Sequence, residues 1–426
     1  MKVLWLVSIT LPAAAAACGL QAQDVSGGWL TGQLTALAAR PDAPELTICS
    51  VDARVSALTT GSREGVRFAL LPDGSWESFA ALLQQTAPDL VHIWGTEYPA
   101  VAAMQTAAAA QKRPVLIGIQ GVMADCAAHL CDGVPAAYRT SSPLQRMIDR
   151  VVPGALLDKS QASFDALARN EADVLRRARY LTGRTGFDQR FCQRMAPDAR
   201  YFRCNETLRP AFYTGPIWRP HAFGQSPVLL LSQGNYPLKN LHTVLQALPG
   251  LRKRWPGLTL QIAGWPPLDK GPLLRPVIQW MFPYQRYCQT LARQLGVADC
   301  LHYTGPLQAD AMRRAFLEAD LFVLPSFSEN SPNSLGEAML LGMPCLASRA
   351  GGIPDMLQDG REGRIYGVAG NAAALAEAAT ELLGAPDHGA ALGSAARQRA
   401  LQTHDPVRNA ADLLAIYAQI TKEVRP

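Results

Sequence analysis

The run LFVLPSFSENSPNSLGEAMLLGMPCLASRAGGIPDML, residues 321–357, reads as strand, loop, helix and strand again. LFVLPS is an apolar run too short for a helix, and it ends at Ser326 before a loop that carries Glu329. Ser331 is expected to cap the next helix with Pro332 at its first position, because a hydroxyl satisfies an orphan amide and proline needs no amide there. The amides of Asn333 and Ser334 then point at whatever lies above the helix start, a setting that favours an anion such as a diphosphate. Glu337 stands eight residues after Glu329, inside the helix. Its ionised carboxylate is acceptor-only and can take two hydrogen bonds from a vicinal diol such as a ribose.

Working outward, the same alternation of short apolar runs and longer amphipathic stretches covers most of the chain, the pattern of parallel strands joined by crossover helices. Candidate strands are VLWLVSI (3–9), ELTICSV (45–51), VRFALL (66–71), LVHIW (90–94), PVLIGIQG (114–121) and ARYLTGRT (178–185). A second series follows with VLLLSQG (228–234), LTLQIAG (258–264), LHYTG (301–305), LFVLPS (321–326) and PCLAS (344–348). Two α/β domains are expected, 1–212 and 228–404, with the Pro- and Gly-punctuated 213–227 as linker. The proline-rich stretch 265–283 reads as a surface excursion. Residues 405–426 read as a helix packing back on the first domain, with Val407, Ala411, Leu414 and Tyr417 as its apolar face.

The 321–357 segment resembles the E-x7-E region of the family 4 glycosyltransferases, retaining enzymes of the GT-B fold, and Gly351-Gly352-Ile353-Pro354-Asp355 matches the family's continuation. The resemblance implies two Rossmann-like doubly wound domains facing a cleft, with a nucleotide-diphosphate sugar as co-substrate and a glycan or lipid-linked acceptor. It assigns Glu329 to the sugar hydroxyls, Glu337 to the ribose, and Asn333 and Ser334 to the diphosphate. SQGNYPLKN (232–240) looks like the family's phosphate-binding strand end; Lys239 is present, but Gly234 stands where the family usually has an arginine. Arg349 is a weak candidate to replace that cation, against a structural, solvent-exposed role. Ser26-Gly27-Gly28-Trp29-Leu30 resembles the family's glycine-rich loop after the first strand, where Gly27 and Gly28 would admit a donor phosphate or an acceptor to the backbone. Gln120 replaces a sugar-contacting histidine, and Arg184 in GRTGFD would face the cleft and pair with phosphate or acceptor charge. Asp188 is expected to cap the next helix, and Trp29 and His92 to be packing residues. No D-x-D motif stands in a suitable loop, so no metal and no other cofactor is expected.

Composition sets the bounds. At 426 residues, and about 150 per domain, roughly 2.8 domains are the prior. Charged residues are 18% against a usual share of about 25%, which excludes a disordered chain. The charge of +5 is too dilute for a nucleic-acid binder, though it suits a protein that handles phosphates or touches an anionic membrane peripherally. Nine scattered cysteines without a C-x-x-C pair signal neither zinc nor a disulfide framework and fit a cytoplasmic setting. The apolar start VLWLVSITLPAAAAACGL is open to two readings, a buried first strand or a secretory signal, and the strand is preferred because one basic residue alone precedes it. Alternatives to transfer are another GT-B reaction, epimerase or phosphorylase, and an exported two-domain sugar-binding protein. The transferase reading places the chain in bacterial cell-surface polysaccharide or glycoconjugate synthesis.

Overall fold

A computed structural model describes residues 1–22, 27–151, 153–268 and 275–424. The chain divides into two units, the first formed by Met1–Met123, Ala166–Arg209 and Thr403–Pro426, the second by Ala124–Asp165 and Pro210–Gln402.

The first unit is built on β1 (Lys2–Val7), β2 (Glu45–Val51), β3 (Thr59–Arg63), β4 (Val66–Leu71), β5 (Leu90–Trp94), β6 (Val115–Gly118), β7 (Tyr180–Gly183) and β8 (Arg200–Arg203). They form one sheet in the order β3-β4-β2-β1-β5-β6-β7-β8. All neighbours are parallel except β3, which runs antiparallel to β4. The apolar start is therefore a central strand, with Trp5 opposite Ile48 on one side and His92 on the other. A strand covered on both faces must be apolar throughout, which is why VLWLV does not alternate.

The helix Pro406–Val424 belongs to this unit and packs on the helix Gly28–Ala38. Its buried apolar residues are Ala410, Leu413, Leu414, Ile416, Tyr417 and Ile420. Leu414 and Tyr417 are buried as expected, whereas Val407 at the helix start is exposed. The Tyr417 hydroxyl accepts the Trp5 indole proton at 2.9 Å and meets His92 Nδ1 at 2.7 Å, fixing the helix on polar partners deep in the core.

The second unit holds β9 (Val228–Leu231), β10 (Thr259–Ile262), β11 (Leu301–Tyr303), β12 (Leu321–Leu324), β13 (Cys345–Ala347) and β14 (Arg364–Ile365), an all-parallel sheet in the order β11-β10-β9-β12-β13-β14. Both sheets are doubly wound α/β sheets.

The units are not the contiguous blocks expected. Residues 124–165 join the second core through Val134 and Leu157, which pack with Leu241, Val244 and Tyr284. The segment 213–227 is also no free linker. Trp218 is buried in the second unit, its indole donating to Ala319 O at 2.7 Å and its amide to Leu341 O at 2.8 Å. Part of the proline-rich stretch, 269–274, lies outside the described residues. Among the described residues no helix is long and apolar enough to cross a membrane.

Candidate active site

Two loops at the carboxyl edge of the second sheet, after β9 and β12, are joined by backbone and side-chain bonds. Phe327 N donates to Leu238 O at 2.9 Å, and Asn240 Nδ2 donates to Pro325 O at 2.8 Å. Asn240 adopts the left-handed conformation, φ +58°, that ends the short turn Pro237–Lys239 and starts the helix Leu241–Arg254. Asparagine tolerates that region better than other side chains. The result is a fixed approach of Lys239 to Glu329, Nζ to Oε1 at 2.5 Å.

Ser326 Oγ donates to the same carboxylate oxygen at 2.8 Å. Behind it, Ser348 Oγ donates to Ser326 O at 2.6 Å, and Gly352 N donates to Glu329 O at 2.9 Å. Gly351 sits at φ +49°, and a Cβ there would lie 1.9 Å from Glu329 O, so this glycine is required by both its backbone and the close approach of the loop. Burial alone would depress the Lys239 pKa, yet the Glu329 carboxylate and the Tyr236 hydroxyl hold it above the ordinary lysine value. Lys239 is therefore a permanent cation, partly buried and aimed at an acid.

Helix Asn333–Leu341 starts four residues after Glu329. Pro332 itself, not Ser331, occupies the cap, extended at φ −66° and ψ 116°, and no side chain caps the helix. Proline's ring disfavours helical geometry in the residue before it, which moves the boundary past Ser331. Asn333 and Ser334 are the first helical residues, and Glu337 is buried at 3% exposure. Lys239, Glu329, Asn333, Ser334 and Glu337 thus all lie on the two loops and the helix they feed.

The first-unit candidates are placed differently. The Arg184 guanidinium forms a buried ion pair with Glu206 and donates to Gln120 O at 3.0 Å, while Gln120 Nε2 donates to Glu206 Oε1 at 3.0 Å. Burial raises the Glu206 pKa, and Arg184 opposes that rise. The space beside this cluster is about 10 Å³, the size of a single water site. The expected exposure of Arg184 to a phosphate is not what the fold provides, since its charge neutralises Glu206. Gly27, at φ +81°, precedes the helix Gly28–Ala38; a Cβ would lie 2.2 Å from Ile9 Cδ1 at Gly27 and 2.5 Å from Arg209 Cδ at Gly28. Both contacts are with movable side chains, the left-handed backbone at Gly27 is what favours glycine there, and Ser26 of that loop lies outside the described residues. Thr185, not Asp188, is the cap of the helix Gly186–Met195, with Asp188 returning the bond as the other half of a capping box.

Gly234 also has a packing reason. A Cβ there would come 3.2 Å from Ile262 Cγ2 and 3.3 Å from Leu241 Cδ2, so an arginine at this position would start into the core. Arg349 is exposed. Sequence reasoning missed Ser326 and Asn240, which orient Glu329 and Lys239, and Asp125, whose carboxylate accepts from Ser328 Oγ at 2.5 Å. Asn240 adjoins Lys239 and could have been found; nothing near Asp125 signals its bond to Ser328. Among the described residues no group of three or more His, Cys, Asp or Glu could hold a metal ion.

Residues 218–399, which contain Lys239, Glu329 and Glu337, match the family model of glycosyl transferases group 1. The chain is 29% identical over 188 residues to a GDP-mannose-dependent alpha-(1-6)-phosphatidylinositol monomannoside mannosyltransferase of Mycolicibacterium smegmatis, covering 42% of this chain and 45% of that one. It is 35% identical over 113 residues to a D-inositol 3-phosphate glycosyltransferase of Streptomyces scabiei, 26% and 25% of the two chains. The chain thus spans less than half the length of these relatives. In fold it is similar to sucrose-phosphate synthase from Thermosynechococcus elongatus, TM-score 0.68 at 14% identity over 99% of both chains. It is also similar to HepE from Anabaena in complex with UDP and glucose, TM-score 0.65 at 16% identity over 98% and 99%. The fold is that of the GT-B glycosyltransferases.

Proposed function

We propose that this chain is a retaining glycosyltransferase that moves a sugar from a nucleotide-diphosphate sugar to a hydroxyl of a glycan or lipid-linked acceptor. The observation that carries the reading is the Lys239–Glu329 pair at the carboxyl edge of the second sheet, inside the stretch that matches the transferase family. Lysine has three donors, so Lys239 keeps hydrogens for the diphosphate while bonded to Glu329. Charge grows on the leaving nucleoside diphosphate as the glycosidic bond breaks, and a fixed ammonium with the first amides of the helix Asn333–Leu341 stabilises it. Glu329 holds sugar hydroxyls and Glu337 the ribose diol.

The acceptor hydroxyl attacks the face from which the diphosphate departs and gives its proton to a phosphate oxygen, so no protein base is assigned. Gln120 and Arg184, bonded to Glu206, take a structural part in this scheme, while Gly27 and Gly28 admit a donor phosphate or an acceptor to the backbone. The reaction proposed is metal-independent, and its setting is cytoplasmic assembly of bacterial surface polysaccharide or glycoconjugate, with peripheral membrane contact when the acceptor is lipid-linked. The test is a transfer assay of the purified chain against nucleotide sugars, run with and without EDTA. Product with the anomeric configuration of the donor, formed equally in EDTA, is expected; inverted product, or transfer abolished by the chelator, would count against it.

A further inference from the structure

In the second unit, the proline-rich stretch read from sequence at 265–283 ends in a wall. Its Phe282, with Tyr284 from the start of the helix Pro283–Gln294, lines a cavity of about 300 Å³. Leu130, Leu157 and Phe164 come from the 124–165 segment, and Tyr236 from the loop after β9 that leads to Lys239. The volume is in the range of small-molecule sites.

No lining side chain is charged. The Tyr284 hydroxyl meets His242 Nδ1 at 3.2 Å and the Tyr236 hydroxyl is bonded to Lys239, so both tyrosines offer the cavity ring carbon. Of the polar lining residues, Ser160 donates to Leu156 O at 3.0 Å and Gln285 accepts from Leu268 N at 3.4 Å, which leaves Asn235 as the third. A sugar ring would leave most of its hydrogen bonds unmade against such walls, whereas a hydrocarbon gains by leaving water.

Two further observations say which hydrocarbon. The Tyr236 ring that lines the cavity lies 5.8 Å, centroid to Nζ, from Lys239, so an occupant sits about one ring's breadth from the candidate site. Beside the cavity, Ala155 N donates to Met281 O at 3.0 Å and Gln145 Nε2 to Trp280 O at 2.7 Å, which ties the helix Pro143–Asp149 to the same wall. That helix leaves Leu144 and Met147 52% and 58% exposed, and Val151 just beyond it is 82% exposed. Spacings of three and four residues put the three on one stripe, the reverse of a surface helix that buries its apolar face. Arg146 and Arg150 flank the stripe and are exposed, an arrangement suited to the interface of an anionic bilayer.

We propose that the cavity receives the apolar chain of a lipid-linked acceptor, drawn from a bilayer that lies against Leu144, Met147 and Val151. That the occupant is an acceptor rests on the transferase reading above. Because Tyr236 stands between the cavity and Lys239, the head that joins chain to reacting hydroxyl is short.

The experiment is calorimetric titration of the full chain with octyl, phenyl and methyl glucosides and with octyl maltoside, all below their micellar concentrations, alongside a nucleoside diphosphate. Both octyl glycosides are expected to bind at least tenfold more tightly than the methyl and phenyl ones, since the chain and not the sugar is held. Ala155 is exposed and lines the cavity, so Ala155→Trp fills the space without a core change. It should weaken the octyl glycosides at least tenfold and leave nucleotide affinity unchanged; Phe164→Ala, which removes a wall, should weaken them about tenfold. The chain should also sediment with phosphatidylglycerol vesicles, and Met147→Glu should release it. The proposal is overturned by a phenyl glucoside that binds as tightly as the octyl one, by an Ala155→Trp protein with unaltered octyl affinity, by a chain that ignores the vesicles, or by no octyl binding in a chain that binds nucleotide. Octyl binding that Ala155→Trp blocks in a chain without nucleotide affinity keeps the cavity and removes the transferase reading instead.

Discussion

Lys239 is a half-buried ammonium whose nearest acid is Glu329, and the pair is held by Ser326 and Asn240 rather than by its own flexible stem. Removing either charge leaves the other inside the fold without its partner but does not touch the hydrophobic core. Lys239→Ala and Glu329→Gln are therefore expected to lose at least a hundredfold in transfer rate, the scale of a single electrostatic stabiliser, with thermal unfolding shifted by only a few degrees. Parallel rate and melting measurements check this, and full turnover by both variants would remove them from the site. Glu337 is expected to act on binding instead. Glu337→Ala should weaken nucleotide affinity about tenfold in calorimetry, the loss of a charged hydrogen bond, and unchanged affinity would refute the ribose role.

At the scale of elements, the strands found from sequence are, apart from the edge strand β11, the buried ones, because a continuous apolar run is the signal of a strand covered on both faces. The three missed strands, β3, β8 and β14, are all sheet edges. TTGSR and RYFR carry mostly polar, half-exposed residues and leave no apolar run to see. β2, β4 and β5 end where they were drawn, but every strand seen in the second sheet was drawn too long at its carboxyl end. Ser232–Gly234, Ala263–Gly264 and Thr304–Gly305 lie past the strand ends, and loops at that edge carry the candidate site, so the overrun is where function displaces regular structure. Lys239, Glu329 and the helix start were legible from local pattern, whereas the Arg184–Glu206 pair joins residues 22 positions apart that no local pattern connects. The loop between β13 and the turn at Gly352 yields a further prediction. Gly351→Ala forces a left-handed backbone onto alanine and drives its Cβ into Glu329 O, so it should cost about 1–3 kcal/mol in denaturant titration and weaken donor binding as well. A stable variant with normal donor affinity would show that the loop can yield.

For the whole molecule, two cores rather than one follow from chain length, yet their membership did not follow from sequence order. Residues 124–165 join the second unit because Val134 and Leu157 find their burial there, a long-range choice that composition does not encode. Three buried imidazoles give the molecule an acid dependence. His92 is pushed down to about 3 and His242 and His404 to about 4, in each case first by burial. The folded values lie below the unfolded one near 6.5, so the unfolded chain binds more protons between about pH 4 and 6.5 and stability falls as pH drops through that window. Each imidazole adds up to about 1.4 kcal/mol per pH unit there. Denaturant midpoints at pH 7 and pH 5 should differ accordingly, and His242→Gln should flatten the slope of the second unit; equal midpoints would show that these rings are protonated in the fold.

The central claim is that the edge of the second sheet, at Lys239 and Glu329, is a nucleotide-sugar site. Calorimetric titration of the full chain with a panel of nucleotide-diphosphate sugars, alongside Lys239→Ala, tests it most directly. One donor is expected to bind the wild-type chain and to lose at least tenfold in affinity to the variant, the worth of one charge-assisted contact. Equal affinity in the two proteins, or no binding by any member of the panel, would contradict the account.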